Sequence, residues 1–370
     1  MLKVLSVFGT RPEAIKMAPL VKELEKDAAI ESKIAVTAQH REMLDAVMQL
    51  FGLQADYDLN IMRGGQTPAG ITCAALTGLC EVIEAEKPDL VLVHGDTTTT
   101  FSGALAAFYN KIPCGHVEAG LRTDNKYSPY PEEMNRRLTG VMADLHFAPT
   151  EQARKNLLRD GVAEKNIFIT GNTVIDALHM VTEDNALPEF AGAEKIDWQK
   201  KIILLTCHRR ESWGKPMQEI FAAIADILRA DDDLELVFPV HLNPLVREAA
   251  HAAFDGIANA HLIEPLDYLP FSRLMQHSYL VVTDSGGIQE EAPALAKPVL
   301  VLREVTERPE AIEAGTARLI GNQYQGVYDG VRELLYNEEV YAAMAHAANP
   351  FGDGHASERI CEIIKKSLQK

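Results

Sequence analysis

Leu280-Val281-Val282-Thr283-Asp284-Ser285-Gly286-Gly287-Ile288-Gln289-Glu290-Glu291-Ala292 decides how this chain is read. A short apolar, β-branched run ends in Asp-Ser-Gly-Gly, and helix-forming residues follow at once. The stretch therefore reads as a strand, a tight turn and a helix N-terminus. Glycines let a ligand approach the backbone, and the first helical turn offers unpaired N–H groups under the positive end of the dipole. Such a turn suits a phosphate, and Glu290 or Glu291 just inside the helix could hold a ribose hydroxyl beside it. The plainer alternative is a βα turn in which glycine serves only tightness.

Working outward, the same alternation of short apolar runs and helical stretches fills the chain. Strands are expected at 202–206, 234–240, 260–263, 279–283 and 299–302 around the opening stretch, and at 3–8, 33–37, 90–94, 112–117, 145–148 and 166–170 before it. Helices are expected at 14–26, 42–51, from the Thr67-Pro68 start to about 85, and at 98–109, 132–143 and 150–158. Strict βα alternation means a parallel sheet covered by helices on both faces. Between 183 and 200 the period is lost in a Pro/Gly/acidic stretch, and then it restarts. The expected fold is α/β: two doubly wound Rossmann-like domains with a cleft between them. The first takes residues 1–170 and the returning amphipathic stretch 355–370; the second takes 171–354, with a hinge at 171–185. In open α/β sheets ligands sit at the carboxyl ends of the strands, so the site is expected in the cleft.

Composition agrees and removes whole classes of function. A length of 370 residues exceeds what one core usually supports, and 47% hydrophobic with 24% charged residues fits neither disorder nor coiled coil. No run is read as approaching the ~18 apolar residues of a membrane span, and the N-terminus reads as a strand, not a signal peptide. The cytoplasm is the expected location. Cys73, Cys80, Cys114, Cys207 and Cys361 are odd in number and scattered, with no CxxC pair, so neither disulfides nor a metal site is expected. A net charge of −17 argues against a nucleic-acid surface, and an anionic ligand would need local cations. No GxGxxG and no GxxxxGK[ST] occurs, which argues against a nicotinamide cofactor and P-loop chemistry; no cofactor is expected.

The cations and carboxylates lie at expected strand ends. Arg11 and Lys16 follow the first strand, where they could clamp a phosphate or form a solvent-facing charge pair. Asp96 follows the strand at 90–94 and is either an N-cap or a functional acid. Glu118 ends a buried strand, where an unpaired carboxylate is costly, so it is paired, with Arg122 the plain candidate, or functional. Glu132 opens a helix after the proline-stiffened loop at 127–131, His208 ends the first strand of the second domain, and Arg308 lies beside the Asp-Ser-Gly-Gly turn. The pattern is a diphosphate subsite beside an acid/base subsite.

These segments together resemble the bacterial non-hydrolysing UDP-N-acetylglucosamine 2-epimerases. The resemblance is carried by Gly9-Thr10-Arg11-Pro12-Glu13-Ala14, His94-Gly95-Asp96-Thr97-Thr98-Thr99, His116-Val117-Glu118-Ala119-Gly120-Leu121-Arg122-Thr123, Pro131-Glu132-Glu133, His208-Arg209-Arg210-Glu211, Thr283 to Glu291 and Glu307-Arg308-Pro309-Glu310. It implies a GT-B-like fold, a homodimer, and reversible conversion of UDP-GlcNAc to UDP-ManNAc without a redox cofactor. The route it implies is elimination of UDP to 2-acetamidoglucal and re-addition, supplying ManNAc for cell-surface polysaccharide. Asp96, Glu118 and Glu132 are then the acid/base set, with His208 beside the diphosphate. Arg11, Lys16, Asp96, Glu118, His208, Phe271, Ser285, Gly286, Gly287, Glu291 and Arg308 contact the nucleotide sugar, and Glu290 is left without a role.

The resemblance also implies a second, activating UDP-GlcNAc site, matched by Gln39, His40, Gln66, Arg209 and His241; Glu42 and Gly65 replace Gln and Arg of some members. Cys207 stands where members carry a smaller residue. Three other readings stay open on residues alone. They are a hydrolysing epimerase that releases ManNAc and UDP, a GT-B UDP-sugar glycosyltransferase, and a non-catalytic nucleotide-sugar sensor.

Overall fold

A computed structural model describes residues 1–38 and 41–368, and the chain divides into two compact units. Unit 1 runs from Met1 to Met180 and resumes at Phe351; unit 2 is Val181–Pro350. Unit 1 contains strands Leu2–Phe8 (β1), Ile30–Val36 (β2), Tyr57–Asp58 (β3), Leu90–His94 (β4), Cys114–Val117 (β5), Leu145–Ala148 (β6) and Ile167–Ile169 (β7). They form one sheet in the order β3-β2-β1-β4-β5-β6-β7. Unit 2 contains Lys201–Thr206 (β8), Leu234–Pro239 (β9), Ala260–Ile263 (β10), Leu280–Thr283 (β11), Val299–Val301 (β12) and Ala317–Leu319 (β13), ordered β10-β9-β8-β11-β12-β13. All pairings are parallel.

Each sheet reverses its order once, between β1 and β4 in unit 1 and between β8 and β11 in unit 2. These are the topological switch points where an open α/β sheet leaves room for a ligand. The central strands read as unbroken apolar runs because both faces are covered: every residue of β4 and β11 is buried. In unit 2, Phe221, Phe238 and Phe254 meet edge-on or tilted in the core between sheet and helices.

The alternation expected from sequence is present, with four differences. Helix Arg11–Lys26 starts three residues earlier than its apolar period suggests, because Thr10 caps it and Glu13 closes a capping box. The expected hinge at 171–185 is largely the helix Thr173–Thr182. The helix after β11 is short, Ile288–Glu291, and passes into the 3-10 turn Ala292–Leu295 because Pro293 cannot continue the hydrogen-bond ladder. Contrary to expectation, one helix, Pro68–Glu86, is long and apolar enough by length and composition to cross a membrane. Its inner stripe, Ala75, Leu79, Val82 and Ile83, packs into the unit 1 core.

The C-terminal helix Ala356–Leu368 belongs to unit 1. Ile360 and Ile364 are fully buried, and Lys365 donates to Asp27 at 2.6 Å at the end of helix Arg11–Lys26. The Asp176 carboxylate accepts the backbone N–H of Ala356 and Ser357 at 3.2 and 2.7 Å, filling two of the donors that a helix start leaves open.

Candidate functional site

At the switch point of unit 1 the organising residue is Glu13. Its Oε2 accepts from the N–H of Gly9 (3.0 Å), the N–H of Thr10 (2.8 Å) and the Thr10 hydroxyl (2.8 Å), while Oε1 accepts the hydroxyls of Thr97 (2.6 Å) and Thr100 (3.1 Å). One buried carboxylate thus ties the loop after β1 to the loop after β4. Burial pushes its carboxyl above the usual range although four of these donors, the Thr97 and Thr10 hydroxyls and the Gly9 and Thr10 N–H groups, oppose this. The backbone is equally close: a Cβ on Gly9 would lie 1.9 Å from the Thr37 hydroxyl.

Glu118 follows β5 with a φ of +60°, a left-handed conformation that a glutamate adopts only where its surroundings enforce it. The Lys16 ammonium donates to its Oε1, the Asn172 side-chain amide donates to the same oxygen at 2.9 Å, and His94 Nε2 stands 3.6 Å from Oε2. Burial alone would raise the carboxyl; the Lys16 and His94 neighbours win, and it is held well below the usual carboxylate range. Glu118 is therefore an anion at neutral pH, and its cation is Lys16. Arg122 pairs instead with Asp160 at 2.7 Å.

Beneath it lie buried histidines. His94 is pushed down to about 4 by burial, which Glu118 only partly offsets, and His116 to about 3 by burial. His116 Nε2 lies 2.7 Å from the carbonyl of Gly95, the residue before Asp96. A Cβ on Gly95 would approach Glu118 Oε2 to 3.4 Å, so the loops carrying Asp96 and Glu118 are in contact range.

Asp96 is not the helix cap; Thr97 is, accepting from Thr100 N–H. The Asp96 carboxylate is ion-paired with Arg136, and its carbonyl accepts from the Asn135 amide at 3.0 Å. Arg136 and Asn135 lie on helix Glu132–Met142. Glu132 heads that helix, half-buried, with no side-chain hydrogen bond among the described residues. Its neighbour Glu133 is fully buried, bound to Arg137 at 2.8 Å and 3.4 Å from Arg136. The two adjacent glutamates thus divide: Glu133 is tied into the structure, and Glu132 is left half-buried without a side-chain hydrogen bond among the described residues. Arg11, partly exposed, heads helix Arg11–Lys26 and has no ion pair among the described residues.

The switch point of unit 2 is built differently. Asp284 is fully buried and its Oδ2 accepts the backbone N–H of His208 (2.7 Å) and Arg209 (2.8 Å), locking the loop after β8 to the loop after β11. Ser285, Gly286 and Gly287 form the turn. Ser285 N–H donates to the Thr283 hydroxyl at 2.9 Å and its carbonyl accepts from Gln289 at 3.0 Å. A Cβ on Gly287 would meet nothing within 4 Å, so the glycine leaves the backbone open. Gln289 accepts the Thr306 hydroxyl at 2.6 Å, Thr306 accepts the Arg308 N–H at 3.0 Å, and the Arg308 guanidinium pairs with the buried Glu290. Glu290 therefore aims Arg308. Glu291 is partly exposed one residue on, and Phe271 lies partly exposed on helix Tyr268–His277.

Of the residues expected at a second ligand site, Gln39 and His40 lie outside the described residues. Gln66 belongs to unit 1, bonded to Ile61 O and Arg63 N–H at 2.9 Å each. Arg209 and His241 belong to unit 2: His241 stacks on His208 at 5.8 Å, and Arg209 reaches Glu307 at 3.3 Å. Cys207 is buried and packs in the unit 2 core. Burial and Asp284 push its thiol up. Among the described residues no group of three His, Cys, Asp or Glu forms a metal site.

Set against known proteins, residues 22–365 match the family model described as UDP-N-acetylglucosamine 2-epimerase. The chain belongs to the UDP-N-acetylglucosamine 2-epimerase family. An Escherichia coli (strain K12) UDP-N-acetylglucosamine 2-epimerase is 56% identical over 372 residues, covering 99% of each protein. The crystal structure of a Neisseria meningitidis UDP-GlcNAc 2-epimerase bound to UDP-GlcNAc is 50% identical with a TM-score of 0.85, covering 99% of this chain and 100% of that one. The α/β fold extends beyond the epimerases: the glycotransferase of kitacinnamycin, at 15% identity and 99% coverage of each chain, has a TM-score of 0.64 and shares the fold alone.

Sequence reasoning passed over residues that organise the two switch points, Glu13 in unit 1 and Asp284 and Glu290 in unit 2. Each lay inside a quoted motif, yet Glu13 and Asp284 were assigned no role and Glu290 was left without one. Their signal was position: each is an acid within a few residues of a strand's carboxyl end, where burial demands a partner.

Proposed function

We propose that the chain interconverts UDP-GlcNAc and UDP-ManNAc by a non-hydrolysing route. The single observation that carries the reading is Glu118, an enforced anion at the unit 1 switch point, held by Lys16, Asn172 and His94. C2 of the sugar bears an acetamido group, so its proton is lost only together with the leaving group at C1. The C2–H pair becomes the C1–C2 double bond of 2-acetamidoglucal while the C1–O pair leaves on UDP. Asp96, Glu118 and Glu132 form the acid/base set, and the return of UDP with a proton on the other face of C2 gives the epimer. Arg11, Lys16, His208, Phe271, Ser285, Gly286, Gly287, Glu291 and Arg308 hold the nucleotide sugar. Preorganised N–H groups and cations are what a departing diphosphate requires.

The remaining parts of the reading follow from it. The product supplies ManNAc for cell-surface polysaccharide. The five free thiols fit a reducing, cytoplasmic setting. Exposed Phe108, Tyr109, Leu138 and Val141, on helices Thr98–Tyr109 and Glu132–Met142, suit burial in a homodimer. Arg209 and His241, beside His208, suit a second, activating UDP-GlcNAc. Incubation with UDP-GlcNAc in deuterated water tests the reading. Deuterium at C2 with UDP-ManNAc as product supports it; free ManNAc as the main product overturns the non-hydrolysing route, and no C2 exchange overturns the chemistry.

A further inference from the structure

The second carboxylate oxygen of Asp284 is an unexplained feature of unit 2. Oδ2 is saturated by the N–H groups of His208 and Arg209, with the Ser212 hydroxyl at 3.5 Å. Oδ1 is buried and accepts no aligned hydrogen bond, an arrangement that is costly for an anion. His208 Nδ1 stands 3.1 Å from that oxygen on a ring that is half-exposed. His241 stacks on the imidazole with ring centroids 5.8 Å apart and the planes 17° apart. Nε2, on the far edge of the ring, has no protein partner among the described residues.

We propose that Asp284 is a positioning residue that acts through His208: it fixes the ring proton on Nδ1 and backs the imidazolium whose Nε2–H faces the departing diphosphate. This rests on the epimerase reading. The same carboxylate sets both the backbone of the loop after β8 and the protonation pattern of its histidine. As the C1–O bond breaks, the electron pair goes to the β-phosphate oxygen; the ring, carrying a proton taken from solvent on Nε2 besides the one on Nδ1, donates a hydrogen bond from Nε2 to the phosphate while Asp284 balances its charge. Aligning a poorly directed apo hydrogen bond is the expected effect of ligand binding. A carboxylate behind a histidine works in this way wherever it sets tautomer and orientation.

The experiment is nitrogen-15 NMR of the imidazoles in the full-length protein without substrate, with the His208 signals assigned by their absence in His208→Gln. The neutral ring is expected to carry its proton on Nδ1; a proton on Nε2 overturns the proposal, whatever the reaction proves to be. Asp284→Asn keeps an acceptor for the two backbone N–H groups but presents an amide N–H to the ring. It should move the proton to Nε2 and lower kcat about 100-fold, as for a partner that orients a functional histidine, with KM within about threefold. A kcat within threefold of wild type also overturns it. If the protein shows no epimerase activity while the Nδ1–H tautomer is found, the epimerase reading fails and the assignment of the pair stands.

Discussion

The two units share a strand order and a switch point but equip them in opposite ways. In unit 1 the polar groups at the strand ends are charged side chains already answered by protein partners: Glu118 by Lys16, Asp96 by Arg136, Glu133 by Arg137. In unit 2 the turn after β11 offers backbone and glycine, with charge held behind it by Asp284 and Glu290. Preorganised carboxylates suit proton transfer, where small displacements are expensive. An open backbone cradle suits a phosphate, which any well-placed N–H can serve. On the proposed function, one fold thus yields a reacting half and a holding half by exchanging where the charge sits.

The largest effect that separates the halves is expected from Glu118→Gln. It should lower C2 deuterium exchange about 1,000-fold, while UDP affinity measured calorimetrically stays within about threefold; a parallel loss of UDP binding would break the division. The next contrast is acid stability. His94, His116 and His146 of unit 1 are held down to about 4, 3 and 4 by burial, below the ordinary 6.5. Their stabilisation is full above pH 6.5 and is lost as the pH falls toward 4, roughly 3 kcal/mol at His94 alone. The depressed Glu118 carboxyl continues the loss in the same direction below its ordinary value of 4.5. Both tryptophans, Trp198 and Trp213, lie in unit 2. Hydrogen exchange should therefore show β4–β6 opening between pH 6.5 and 4 before tryptophan fluorescence changes, and the reverse order would refute it.

Two smaller effects sharpen the holding half. Arg308→Ala should weaken UDP binding roughly 10- to 100-fold, as expected for lost charge-assisted hydrogen bonds, with C2 exchange at saturating substrate much less affected. It should also lower Tm by stranding the buried Glu290. Unchanged UDP affinity would remove Arg308 from the cradle. Smallest of all, Cys207→Ala should cost less than about 1 kcal/mol and leave turnover within twofold, which a melting curve and a product assay check.

Much of this comparison was legible in the chain itself. Strand Leu90–His94 and helix Thr98–Tyr109 match expectation to the residue, because a β-branched run and a Thr-rich start leave little ambiguity. The Asp-Ser-Gly-Gly turn was placed correctly, while its helix proved four residues long. What stayed hidden was pairing across distance. Glu13 meets Thr97, Glu118 meets Lys16, and Glu290 meets Arg308, and no local period distinguishes such an acid from one facing solvent. Tyr57–Asp58 was hidden too: a two-residue edge strand has no alternation to detect. The helix Thr173–Thr182 was read as hinge because glycine and asparagine precede it and a proline/acidic stretch follows it.

The meeting of Gly171 and Asn172 with Phe351 and Gly352 carries a last consequence. Asn172 N–H donates to the Phe351 carbonyl at 2.7 Å, and a Cβ on Gly171 would lie 3.2 Å from the Gly352 Cα. The chain leaves unit 1 and re-enters it at neighbouring points, so unit 2 is topologically an insertion between two stitches of its host. On the ribosome the host's first 180 residues emerge without the helix Ala356–Leu368 that covers Arg11–Lys26, and they wait through the whole synthesis of the insertion. The unit begun first is therefore the unit finished last.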